Sequence, residues 1–294
     1  MTKFIADAKT ELLAALAARF PESSKTTLRQ MLQQGRVRVN GAIEKVARRE
    51  LVPGDRIEIG RHSQLPGISG ALSILYEDDD IIVVIKSAGL LSVASKLETE
   101  QTAEEYINTY LRAGVSERVH VIHRLDLNTS GTMMFAKSPL ARDVLKKTFA
   151  EHDIDRVYVA IVEGGPPTDE GTIRSYLRED ERTLEVRTVG PHDRGKLAIT
   201  HYKVVDRGKY YSMLEVTLET GRRNQIRAQF ASKGFPIAGD ARFGAKSDPI
   251  GRLALHARTL GFAHPRTGKK LLFNAPLPDG FHPLPTAFSS GSRR

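Results

Sequence analysis

The sequence predicts an α+β protein: a larger domain on a mixed, largely antiparallel sheet, preceded by a small N-terminal α/β module. Three observations carry this. Beyond residue 72, segments that read as strands outnumber those that read as helices, and short turns join several of them, which favours an antiparallel sheet over a doubly wound one. His62 to Gly70, HSQLPGISG, holds Pro66, Gly67 and Gly70 without periodicity and reads as a linker. The stretch before it carries its own helix and strand patterns. The predicted divisions are a module over 1–62, a linker over 63–71, a catalytic-sized domain over 72–288 and a flexible tail, SSGSRR, over 289–294.

In the module, Leu12, Leu13, Leu16 and Phe20 share helical periodicity over Thr10–Phe20, and Pro21 ends that helix. Ser24-Lys-Thr-Thr can cap a second helix through about Gln34, which Gly35 stops. Arg36-Val-Arg-Val alternates like a strand, Asn40-Gly41 makes a tight turn, and Pro53-Gly54-Asp55 makes another before the strand Arg56-Ile-Glu-Ile. In the larger domain, Leu72–Tyr76 and Ile81–Ile85 flank Glu77-Asp-Asp-Asp as a hairpin-like pair. Thr102–Leu111, Pro139–Ala150 and Arg223–Ser232 read as helices. Met133–Ala136, Val157–Val162, Leu197–Val205 and Tyr210–Leu218 read as strands.

Charge indicates a partner. The 294 residues carry 44 Lys and Arg against 35 Asp and Glu, a net charge of +9. Between residues 24 and 50, seven cations face two acids, Glu44 and Glu50. Lys25 and Arg29 fall one helical turn apart, and Arg36 and Arg38 share one strand face. A helix and the next strand thus present one basic surface, suited to an RNA backbone. There is no cysteine, which excludes disulfides, thiolate metal sites and cysteine nucleophiles. The nine histidines form no metal motif, so no metal is expected. No run is long and apolar enough to span a bilayer, and the N-terminal stretch is broken by Lys3, Asp7, Lys9, Glu11 and Arg19. No membrane association and a cytoplasmic location are expected. Oligomeric state is not readable.

The most informative stretch is Val121–Lys137, VIHRLDLNTSGTMMFAK, in which a polar loop with Asp126, Asn128, Thr129, Ser130 and Gly131 precedes an apolar strand. Such a loop can hold a reactive carboxylate on a scaffold. Equally, Asp126 can be spent on turn hydrogen bonds with Asn128 or Thr129.

HRLDLNTSG resembles the H-R-L-D-x-x-T-S-G signature of RluA-type pseudouridine synthases at every fixed position. Further blocks agree in order: DIIVVIKSAGL from Asp80, TGRRNQIRAQF from Thr220, GFPIAGD ending at Asp240, and the closing Leu255-His-Ala, Phe262-Ala-His-Pro, Thr267-Gly and Ala275-Pro-Leu-Pro. SKTTLRQMLQQGRVRVNG with LVPGDRIEI resembles the small S-four RNA-binding domain. The resemblance implies a pseudouridine synthase fold and isomerisation of a uridine in structured RNA, without cofactor. Ribosomal RNA of the large subunit is the favoured partner, and transfer RNA the alternative. It also implies roles. Asp126 is the catalytic carboxylate, acting on sugar or base. Arg227 keeps it ionised. Tyr158 stacks on the flipped uracil and moves a proton. Ile226 walls the base slot, Arg124 fills the gap left by the base or binds phosphate, and Lys86 contacts the substrate region. Departures from the pattern are Ile85 and Ser87 around Lys86, Asn224 for a histidine, and AQF over 228–230; they touch the target more than the reaction. A silent assembly factor is disfavoured by the intact Asp126. A nucleoside glycosidase would want a second carboxylate and no basic module.

Overall fold

The computed structural model describes residues 2–21, 23, 28–29, 31–32, 37–44, 46–59, 67–69, 71–94, 102–112, 118–180 and 183–289. In the module these form β1 (Thr2–Ile5), β2 (Thr10–Glu11), α1 (Leu12–Arg19), β3 (Val37–Val39), β4 (Ala42–Ile43), β5 (Glu50–Leu51) and β6 (Arg56–Ile59). One sheet runs β1-β6-β3-β4, and β2 pairs with β5. The helix starts at Leu12 and not at Thr10, because Thr10 and Glu11 pair with Leu51 and Glu50. Its buried face, Leu12, Leu13 and Leu16, packs on Val37, Val39 and Ile57 in a core of the module's own. Asn40 (φ 52) and Gly41 (φ 84) both adopt the left-handed conformation, as a tight hairpin turn demands. The Asn40 carboxamide adds bonds to Arg56 N–H and the Asp55 carboxylate.

The larger domain comprises β7 (Gly67–Ser69), β8 (Leu72–Glu77), β9 (Ile81–Lys86), α2 (Ala103–Arg112), β10 (His120–Val121), β11 (Ser130–Ala136), α3 (Pro139–Ala150), β12 (Asp155–Glu163), β13 (Glu170–Glu179), β14 (Val186–Val189), β15 (Lys196–Arg207), β16 (Tyr211–Leu218), α4 (Gln225–Ser232), β17 (Leu255–Ala263) and β18 (Lys270–Asn274). They build a sheet ordered β14-β13-β15-β16-β12-β17-β11-β9-β8-β7, with β10 paired to β11 and β18 to β17. Among the described strands every pairing is antiparallel except β11 with β17. Gly67–Ser69, read as linker, is an edge strand of this sheet. Its short Gly-Ile-Ser run carries no period, and only its pairing with β8 reveals it. Ser289, read as tail, accepts a hydrogen bond from Asp248 N–H.

Strand β11 is buried throughout, as is β9 apart from Ile85, which explains their unbroken apolar runs. Ile82 and Val84 face α2 through Ala103 and Ile107. Ile81 and Val83 face α3 through Ala141 and Leu145. Each such side chain contributes about 1.5–3 kcal/mol on burial. The other half of the sheet packs on α4 through Ile226 and Phe230.

The parallel contact positions the site. Ser130 and Gly131 pair with His256 and Ala257, and Ala257 pairs on its other side with Tyr158. A register shift between Val157 and Tyr158 re-aims that end of β12. Gly131 has φ 123, and a Cβ there would collide with the backbone carbonyl of Ala257. Gly131→Ala is therefore expected to combine backbone strain and a backbone clash, each about 1–3 kcal/mol. A thermal melt should drop by roughly 8–16 °C for a midrange combined loss of about 4 kcal/mol. An unchanged melt would show that the two strands can part at no cost.

Candidate active site

Asp126 sits in the turn between β10 and β11, and its peptide is held on both sides. On one side, Ser92 Oγ donates to Leu125 O (2.7 Å) and accepts from Leu125 N–H (3.0 Å). On the other, Leu127 O receives Gly89 N–H (2.9 Å) and Lys86 Nζ (3.1 Å). The Asp126 backbone carbonyl accepts Thr129 N–H, which closes the turn. Among the described residues the carboxylate is not spent on that turn; its recorded partner is Arg227, with Nη1 3.6 Å from Oδ2. The carboxylate is 25% exposed and opens into a cavity of about 290 Å³.

Arg227 reaches this point from α4. The residue before the helix, Asn224, has φ 51, a left-handed conformation that Asn tolerates better than most residues, and its Oδ1 accepts from Arg227 Nη1 (3.1 Å). Arg227 Nε and Nη2 grip Asp240 at 2.7 Å each, and the guanidinium lies 4.7 Å from the centre of the Phe243 ring. Burial works against the Arg227 charge, but Asp240 and Asp126 outweigh it and hold its pKa raised. Arg227 is thus a fixed cation, locked by Asp240, with one edge left for Asp126.

Ile226, Leu218, Leu255 and the Tyr158 ring give the cavity its apolar lining, beside polar side chains that include Thr129, Asn224 and Gln225. Ile226 belongs to the core as well as to the slot. Burial, countered by Arg156 and aided by Asp126, raises the Tyr158 pKa, so the phenol holds its proton at neutral pH. Arg124 is exposed at the rim, with Arg156 and Arg222 also lining the cavity. Below the rim His123 stacks on Phe149, and Arg156 lies over the same ring. Burial and Arg156 push His123 down to about 3, so its neutral Nε2 accepts Met134 N–H. A slot of mixed apolar and polar lining, with one carboxylate and a cationic rim, suits a planar, uncharged base on an anionic backbone.

Lys86 is a correction to the expectation of substrate contact. It is fully buried beneath the loop and does not line the cavity. Its ammonium donates to Ser87 O (3.0 Å), Leu90 O (2.7 Å) and Leu127 O (3.1 Å), which consumes all its protons on backbone. Burial drives its pKa down to about 7, with Asp126 drawing it back up. Lys86 supports the Asp126 loop. Of the basic module residues, Arg29 and Arg38 are exposed, and Arg38 donates to Gly41 O. Lys25 and Arg36 lie outside the described residues.

Sequence reasoning assigned no role to Asp240, Asn224, Arg156 or Arg222. The Gly-Asp end of GFPIAGD and the Asn before a helix were the available signals. Asp78, Asp80 and His264 place ligand atoms within 4.8 Å of one another. They are engaged already, His264 with Asp78 (2.8 Å) and Asp80 with both arms of Arg266 (2.6 Å each), and none lines the cavity.

The family model described as RNA pseudouridylate synthase matches residues 80–232, and that of the S4 domain matches residues 12–57. An uncharacterized RNA pseudouridine synthase of Bacillus subtilis is 34% identical over 279 residues, covering 90% of this chain and 89% of its own. The ribosomal large subunit pseudouridine synthase D of Haemophilus influenzae is 32% identical over 296 residues, covering 94% and 90%. The solved structure of human RNA pseudouridylate synthase domain containing 4 superposes with a TM-score of 0.58 at 22% identity, covering 71% of this chain and 89% of that one, a likeness of fold.

Proposed function

The chain belongs to the RNA pseudouridylate synthase family and is an RNA pseudouridine synthase; from that premise we propose that Asp126 is its catalytic carboxylate and that its target is a uridine of large-subunit ribosomal RNA. The observation that carries the site reading is the Asp126 carboxylate, 3.6 Å from a locked arginine, opening into a slot lined in part by Ile226, Leu218, Leu255 and the Tyr158 ring. The reaction breaks the bond between uracil N1 and the ribose C1′, turns the base, and joins C5 to C1′. The hydrogen on C5 leaves as a proton and N1 gains one, so no oxidant or reductant enters. Asp126 supplies the negative charge that a nucleophile, or a partner for an electron-poor sugar, requires.

In this reading Arg227 fixes the carboxylate in orientation. Tyr158 offers a ring face to the turned base and a hydroxyl to the proton leaving C5. Ile226 supports the opposite face. Arg124 sits at the rim, where the space vacated by an extruded base is filled or a phosphate bound; extrusion costs a few kcal/mol, so such a filler offsets a real penalty. Arg29 and Arg38 on the N-terminal module contact backbone phosphates away from the slot.

The choice of ribosomal RNA rests on the relatives named for the large subunit, which align along nearly the whole chain, and on the S4-type module. Pseudouridine mapping of total RNA from cells with and without this protein tests it. One or more large-subunit sites should vanish with the protein. A loss confined to transfer RNA would overturn the target while leaving the chemistry standing.

A further inference from the structure

Beside the catalytic slot opens a second, larger cavity of about 710 Å³, which shares Gly221 and Arg222 with the first. It lies between the β13–β14 hairpin, the turn entering β15 and the loop before α4. Its lining carries Arg178, Arg194, Lys196, Arg222 and Arg223 against one acid, Glu179. Glu179 is held by Arg223 at 2.6 Å, so its charge is already compensated. Among the described residues no ion pair engages the other four cations. Arg222 Nε donates to Leu197 O, and Arg178 Nη1 approaches Asp193 O. These contacts orient the guanidiniums without neutralising them. Arg194 projects from a left-handed turn residue (φ 54).

The cavity is coupled to the slot. Leu177 and Val186 of the hairpin bury against Ala198 of β15 and Ala228 of α4, with Phe243 packed on the same cluster. Phe243 is also the ring beneath Arg227. The packing behind the basic lining is thus continuous with the ring that supports Arg227. Four cations without an ion pair among the described residues, on a concave, partly apolar floor, attract a chain of phosphates, and a nucleotide in the slot is joined by phosphodiesters to neighbours that must leave over its rim.

We propose that this cavity is a phosphate-binding channel which holds the RNA strand as it leaves the slot, with Arg178, Arg194 and Lys196 contacting the backbone and Arg222 standing at the junction. This rests on the reading of the chain as acting on structured RNA. Such contacts fix register and carry no base information, so the channel strengthens binding without choosing the target.

The test uses the full chain and an in vitro transcript of large-subunit ribosomal RNA. Arg178→Ala/Arg194→Ala/Lys196→Ala should raise KM by roughly tenfold or more while kcat at saturating RNA stays within about threefold, the signature of lost uniform binding. The slope of log affinity against log salt should flatten by roughly 2–3, at about 0.7–0.9 per lost phosphate contact. Arg178→Lys/Arg194→Lys, which conserves charge, should keep the wild-type slope. Lys196→Glu alone, at an exposed strand start, should weaken binding in the same direction, which guards against misfolding of the triple variant. A triple variant with unchanged KM and salt slope, on a wild-type protein that binds and modifies the transcript, overturns the channel alone. A wild-type protein whose binding to the transcript has no salt dependence overturns both the channel and the RNA reading beneath it.

Discussion

Asp126→Asn is expected to abolish isomerisation, by roughly 10⁴-fold or more, while RNA affinity changes little. The swap keeps size and removes both the negative charge and the nucleophilic oxygen. The surroundings should not move. The peptide bonds on either side are held by Ser92 and Lys86, which act on the backbone of Leu125 and Leu127 and not on the side chain. Arg227 stays locked by Asp240, so it does not swing into the vacated charge site. The readout is the release of tritium placed on uracil C5, which every completed isomerisation must expel. A variant that keeps a tenth of wild-type turnover would remove Asp126 from the chemistry, and a variant that stops binding RNA would make it a recognition residue.

Asp240→Ala should be nearly as damaging by a different route. Asp240 is 2% exposed and Arg227 12%, so the pair is buried, and removing one partner leaves a charge in a site built to compensate it. Losses of about 3–5 kcal/mol are typical for such a cut. A melt lower by roughly 6–20 °C follows for a chain of this size. Turnover should also fall, because the freed guanidinium has Asp126 as its remaining carboxylate and can close the 3.6 Å gap to a direct bond. Adding Arg227→Met to Asp240→Ala should recover part of the stability, since it removes the uncompensated charge, yet none of the activity. If Asp240→Ala melts with the wild type and turns over normally, the lock on Arg227 is not what prepares the site.

Features that depend on neighbours along the chain were legible. Asn40-Gly41 is a turn because both residues tolerate positive φ. Pro139 opens a helix behind the Ser138 cap, whose Oγ accepts Ala141 N–H. The apolar runs of β9 and β11 are strands because both faces are covered. Asp126 was legible as a polar group set between apolar segments, and the motif around it narrowed its role. Less was legible where polar residues face inward. Gln225 and Gln229 of α4 are buried and bond to Thr200, Ser175 and the carbonyls of β13 and β15, so the helix shows little amphipathic pattern although it is firmly docked. β13 alternates poorly, because one face of its hairpin lines a basic cavity instead of a core.

The sequence by itself determined the turns, the central strands and the polar loop that carries Asp126, since these depend on backbone preference and residue type over a few positions; the kind of chemistry came from the resemblance of its motifs to a known family. Tertiary structure alone decided that Lys86 is buried against the backbone of the Asp126 loop, that Asp240 holds Arg227, and that Gly131, Ala257 and Tyr158 stand side by side. Those arrangements join residues from 13 to more than a hundred positions apart. Their energies come from burying charges and closing strand pairings, and neither exists until the chain has folded back on itself.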